Sequence, residues 1–172
     1  LSMYEYIIVT HIPAFYKINL YNELAKKKKI LVIFIASDTN ETRSDDFIGL
    51  SNSNFQYIVL YEGNIQDRRI IFNIRKLNKI LNKSQHRKLI VGGWDLPEYW
   101  YLIWSNFKQR NCLILESTIN ESKVNGLKGF IKKIFLSQIS TVFASGNLHR
   151  RLLEALSYKG EIRITKGVGI IN

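Results

Sequence analysis

The chain has one cysteine, Cys112, among its 172 residues, so no disulfide can form within it. A lone thiol points to synthesis in a reducing compartment. Cys112 lies in an apolar run and is expected to be a buried, inert thiol. No stretch approaches the roughly 20 apolar residues that a membrane-spanning helix needs. Leu1 to Thr10 has no basic segment ahead of its short apolar run, so it reads as a first strand and not a signal peptide. A soluble cytoplasmic protein, or one peripheral at the inner face of a membrane, is therefore expected. Neither GxGxxG nor GxxxxGK[ST] occurs, which argues against a dinucleotide cofactor of the usual kind and against a P-loop. There is no Cys/His cluster and no HExxH, so no metal site is expected. Internal repeats and low-complexity tracts are also missing. Acidic residues are outnumbered, 14 against 25 Lys and Arg, which leaves a net charge of +11. Such a surface favours a polyanion, an anionic membrane or an anionic substrate, and charge alone does not choose among them.

Hydrophobic residues make up 46% of the chain, enough for a sizeable core. They fall into short apolar runs that alternate with helical periods. Tyr6–Val9, Ile30–Ala36, Phe55–Tyr61, Lys88–Val91, Cys112–Leu115, Thr141–Ala144 and Glu161–Ile164 read as strands. Phe15–Lys26, Ile65–Lys83, Leu96–Phe107, Gly126–Ile139 and Leu148–Ser157 read as helices. In the second helix Ile70, Ile74, Leu77 and Leu81 form the expected buried stripe, with its Lys and Arg mostly elsewhere. The alternation implies βαβ units and a mainly parallel sheet of about seven strands. A Rossmann-like, three-layer α/β domain is the economical layout. Two polar loops, Ser37–Asn54 and Glu116–Asn125, interrupt it. The lysine run at 26–29 has a plain account as favourable charge at a helix C-terminus.

Ligands in such sheets bind beyond the carboxyl ends of the strands, which singles out the loops after Val9, Val91, Leu115 and Ala144. In the first, His11 is either an acid/base group or a hydrogen-bonding strand-end histidine. Lys17 either reaches an anionic group or is an ordinary exposed helix lysine. In the second, Gly92 and Gly93 let backbone approach a ligand closely. Asp95 with Glu98 three residues on has the spacing of a capping box, with Pro97 in the first turn. A helix N-terminus there could also accept an anion or a hydroxyl-rich ligand. Trp94 is the stacking candidate for a sugar ring, whereas Trp100 and Trp104 are expected in the core. Glu116 opens the third loop, where a carboxylate could bind substrate hydroxyls or act as a base. Leu127, Phe130, Ile131, Ile134 and Gln138 share one face of a helix and Phe135 extends the apolar side, in a segment that also carries Lys123, Lys128, Lys132 and Lys133. That helix either packs on the sheet with solvated lysines or lies on an anionic membrane.

In order and spacing, these segments resemble the N-terminal domain of retaining GT-B glycosyltransferases of family 4. The resemblance rests on His11-Ile-Pro-Ala-Phe-Tyr-Lys17 with the helix to Ala25, Gly92-Gly-Trp-Asp-Leu-Pro97, Leu115-Glu-Ser-Thr118, Gly126–Lys133, and Thr141–Gly146 followed by Ile162–Val168. It departs at Thr165-Lys-Gly-Val-Gly169, where relatives more often read Pro-Asn-Gly-Val-Asp, and in a first loop without the glycine pair many relatives carry. The resemblance implies transfer of a hexosyl-type sugar from a nucleotide-sugar, with retention, without a metal or other cofactor, in bacterial surface glycan synthesis (lipopolysaccharide, capsule or lipid-linked glycan). Residues 1–164 would form the acceptor-side domain and 165–172 the start of a linker. A second, donor-binding domain would lie beyond this sequence, so the half alone is expected to be nearly or wholly inactive. Phe15, Tyr16, Lys17, Glu116 and Ser117 are then expected at the acceptor, and Gly93, Trp94 and Asp95 at the cleft on the donor-sugar side. Lys128, Lys132 and Lys133 are expected at an anionic membrane, and no catalytic residue is assigned. The expected partners are a nucleotide-sugar donor, a glycan or glycolipid acceptor and the membrane surface, without nucleic acid. The rival reading is a basic α/β nucleic-acid-binding module, although no RNP-like, KH-like or helix-turn-helix signal accompanies the charge. A flavodoxin-like or response-regulator domain has one or two strands too few and needs acidic residues after the first strand that are not there.

Overall fold

The computed structural model describes residues 2–40 and 50–165, so much of the first polar loop lies outside the described residues. Its seven strands are β1 (Ser2–Thr10), β2 (Ile30–Phe34), β3 (Gln56–Val59), β4 (Ser84–Val91), β5 (Asn111–Leu115), β6 (Thr141–Ala144) and β7 (Glu161–Ile164). The five α-helices are α1 (Phe15–Ala25), α2 (Ile70–Lys83), α3 (Pro97–Trp104), α4 (Gly126–Ser137) and α5 (Asn147–Ala155). The strands form one parallel sheet in the order β3-β2-β1-β4-β5-β6-β7, a doubly wound α/β arrangement flanked by helices. The chain divides into two compact units, Leu1–Leu89 and Ile90–Gly169, with the chain passing from one to the other within β4.

In the first unit, β1 and β2 pair from Tyr6↔Ile30 to Thr10↔Phe34, and β2 and β3 from Leu31↔Gln56 to Phe34↔Val59. All five residues of β2 are buried, as its unbroken apolar run requires of a strand covered on both faces. Tyr21 of α1 meets Phe34 and Phe55 at ring distances of 6.5 and 5.7 Å, seating the helix on this core. The lysines after α1 find partners beyond the helix dipole. Lys28 pairs with Glu5 at 2.8 Å, and that hydrogen bond and charge raise its pKa. Lys29 lies over the ring of Tyr4.

The stripe expected on α2 is only partly buried. Ile65–Asp67 is a separate 3-10 turn, the helix begins at Ile70, and its buried residues are Asn73 and Leu77. Ile70, Ile71 and Phe72 are exposed. The helix runs directly into β4, which starts at Ser84, ahead of the apolar segment that announced it. Ser84 to Lys88 are polar and alternate between half-buried and exposed, so their strand character leaves no apolar signature.

In the second unit, β5 and β6 pair from Cys112↔Thr141 to Leu115↔Ala144, and β6 and β7 from Thr141↔Glu161 to Ala144↔Ile164. Leu102, Ile103, Leu113, Phe135, Val142, Leu152 and Leu153 are fully buried around these strands, and Cys112 is buried with them. Asn111 opens β5 and is itself buried. Its amide donates to the carbonyls of Ile103 and Gln138 at 2.8 and 2.9 Å and accepts from Asn106 at 2.8 Å, tying the ends of α3 and α4 to the strand.

Candidate functional site

The strands are parallel, so the loops after their carboxyl ends share one edge of the sheet within each unit. In the first unit, β1 ends at Thr10, and α1 begins at Phe15 after Ala14, whose extended backbone caps the helix without a side-chain bond. Phe15 and Tyr16 meet edge to face at 5.7 Å. Lys17 is only 8% exposed, not the solvated helix lysine that is the common case. Its ammonium donates to the Thr10 hydroxyl at 3.2 Å and lies 5.9 Å from the centre of the Tyr16 ring. Phe15, Tyr16 and Lys17 thus gather at the carboxyl end of β1, with a buried ammonium among them.

In the second unit, the loop after β4 holds Gly92 (buried), Gly93 and Trp94 (half-buried) and Asp95 (exposed). The N-cap of α3 is Leu96, with φ −100° and ψ 138° and no side-chain cap bond of its own, so the helix starts one residue later than an Asp95 cap would have it. Pro97 explains this start, because its ring keeps the preceding residue extended and helical geometry begins at Pro97 itself. Glu98 is buried in the first turn. Of the two tryptophans expected in the core, Trp100 packs against Phe135 at 5.0 Å, while Trp104 is 56% exposed.

Trp94 joins this loop to α4. Its carbonyl accepts from the Trp100 indole at 2.9 Å, and the Lys132 ammonium lies 5.4 Å from the centre of its ring. Lys132 also donates to the carbonyl of Lys123 at 2.9 Å. Partial burial, and then the nearby charge of Lys128, lower the Lys132 pKa. A residue expected at the cleft and one expected at a membrane are therefore in contact. Lys128 and Lys133 are exposed.

After β5, Glu116 is exposed and Ser117 half-buried. The loop turns on itself, with the Glu121 and Ser122 amides donating to the Thr118 carbonyl and the Glu121 carboxylate accepting from the Thr118 amide. The Glu116 carbonyl lies 3.3 Å from Nε2 of His149, in the first turn of α5, and the Ile119 amide reaches the Leu148 carbonyl. Sequence reasoning alone does not find His149. The loop after Ala144 is marked by its place at a strand end, but this imidazole lies beyond the loop, inside the helix. Only the strand-to-helix geometry brings it beside Glu116. One edge of this unit thus offers an indole ring with an ammonium over it, an exposed carboxylate and a half-buried hydroxyl, while the His149 imidazole is turned to the Glu116 carbonyl with its Nδ1 buried. The indole, carboxylate and hydroxyl are groups that stack on and hydrogen-bond to a hydroxyl-rich ligand.

Among the described residues, no group of three or more His, Cys, Asp or Glu could hold a metal ion, and no helix is long and apolar enough to cross a membrane. The residues expected to begin a linker lie, apart from Thr165, outside those described. No family model, curated protein or solved structure matches this chain.

Proposed function

We propose that the chain is the acceptor-side half of a retaining glycosyltransferase that builds bacterial surface or lipid-linked glycans. The observation that supports it best is the loop edge of the second unit, where the Trp94 ring beside Lys132 and the exposed Glu116 lie on the same side of a parallel sheet. An aromatic face next to hydrogen-bonding side chains suits a sugar ring, whose C–H faces stack and whose hydroxyls need polar partners. The buried Lys17 ammonium beside Phe15 and Tyr16 suits an anionic group on the acceptor. On this reading a nucleotide-sugar is the donor, no metal is needed, and the protein works in the cytoplasm against a membrane.

The test is to express the chain with whatever coding sequence follows Asn172 and to supply labelled nucleotide-sugars with a lipid extract as acceptor. Sugar transfer is expected, and Trp94→Ala should lower kcat/KM for the acceptor at least tenfold. Absence of transfer to any acceptor, together with tight and strongly salt-dependent RNA binding, would replace this reading with the nucleic-acid one.

A further inference from the structure

Much of the apolar stripe of α4 faces outward. Gly129, Phe135 and Leu136 are its buried residues, whereas Leu127 is 74% exposed, Phe130 61% and Ile131 42%. The helix is held in this rotation from behind. A Cβ on Gly129 would lie 1.8 Å from the carbonyl oxygen of Val124, so only glycine lets the preceding loop lie against the helix. Lys132 is drawn to Trp94 and the Lys123 carbonyl, and Phe135 to Trp100. The outward stripe is therefore not a face waiting to fold onto this unit.

Its surroundings are all of one sign. From Ser122 to Ser137 there are four lysines and no acidic residue. At about 100° per residue, Lys128 falls roughly 60° beyond Ile131 on one side of the stripe, and Lys133 roughly 60° beyond Phe130 on the other. Among the described residues neither has an ion-pair partner. An apolar stripe edged by cations on both sides is the pattern of a helix lying in a lipid interface, with side chains among the acyl chains and ammonium groups at the phosphates.

We infer that α4 docks the protein on an anionic lipid surface, with Leu127, Phe130 and Ile131 entering the bilayer and Lys128 and Lys133 holding its headgroups. The flanking cations select this occupant over a neutral apolar partner. The inference does not depend on glycosyl transfer.

Co-sedimentation of the full chain with vesicles of phosphatidylcholine containing 30% phosphatidylglycerol tests it, beside pure phosphatidylcholine. Binding is expected to the anionic vesicles only. It should fall at least fivefold in Phe130→Ser/Ile131→Ser and at least fivefold in Lys128→Glu/Lys133→Glu. Circular dichroism of both variants should match the wild type, and if one fails to fold the other decides. A polarity-sensitive fluorophore can be attached through Ile131→Cys, because the native thiol of Cys112 is buried. Its emission should shift to the blue on anionic vesicles. Failure of the wild type to bind would overturn the proposal, as would undiminished binding by a folded variant. A concentration-dependent dimer that Phe130→Ser/Ile131→Ser abolishes, without any loss of lipid binding, would assign the stripe to a second copy instead.

Discussion

Gly129 has no room for a methyl group, because the place of its missing Cβ is occupied by the backbone of Val124. Alanine would favour the helix locally but push the loop away. Gly129→Ala should lower stability by about 1–3 kcal/mol, the range for forcing extra volume into a packed site, as measured by urea unfolding. Tyr158 makes a different prediction. Its hydroxyl donates to the Ile139 carbonyl at 3.3 Å, and burial, helped by Cys112 and Glu161, raises its pKa above the ordinary value near 10. The unfolded phenol ionises near pH 10 while the folded one keeps its proton. The unfolded state then binds fewer protons, and stability falls as pH climbs past about 10. Tyr158→Phe should lose about 1 kcal/mol at neutral pH and show a shallower alkaline decline in thermal melts. At this scale the sequence is a partial guide to the site. Phe15, Tyr16 and Trp94 can be placed from strand ends and loop chemistry. The burial of Lys17, the contact between Lys132 and Trp94, and the approach of His149 to Glu116 come from separate elements meeting, which no local pattern encodes.

Helix and strand identities are largely written in local periodicity, but the facing of a helix is not. In α4 three residues of the apparent packing stripe, Leu127, Phe130 and Ile131, are exposed while Ile134 is half-buried and Phe135 buried, because a glycine pressed against the preceding loop and a diverted lysine set the rotation. In α2 a buried asparagine, Asn73, takes a place that hydropathy would give to leucine, its amide reaching the Ile35 carbonyl at 3.4 Å. Asn111 shows how such a group can join elements. Its three hydrogen bonds hold α3, α4 and β5 together at one point. Asn111→Ala removes all three and leaves two carbonyls without that donor, so a loss of about 2–4 kcal/mol is expected in denaturant unfolding. Asn111→Asp should be similarly poor, since a carboxylate cannot donate to either carbonyl.

Across the molecule, alternation and handedness make the doubly wound parallel sheet legible in the sequence, whereas its strand order comes from the structure. Strand length is less so where the chain is polar, as in the first half of β4. Burial along the strands predicts an exchange pattern. Amides of Ile7–Val9, Val32–Phe34, Leu113 and Val142 should exchange with solvent slowest, and those of Ser84–Lys88 at least tenfold faster, in native-state hydrogen exchange followed by NMR. The direct junction of α2 and β4 has a bearing on which length changes the chain can accept. With Lys83 ending the helix and Ser84 opening the strand, no connector can absorb a residue gained or lost. A deletion there must either rotate the helix by about 100° or turn every later side chain of β4 to the opposite face. This joint should therefore be closed to insertion, to permuted termini and to proteolytic nicking, and variation in length among any descendants of this chain is expected to collect elsewhere.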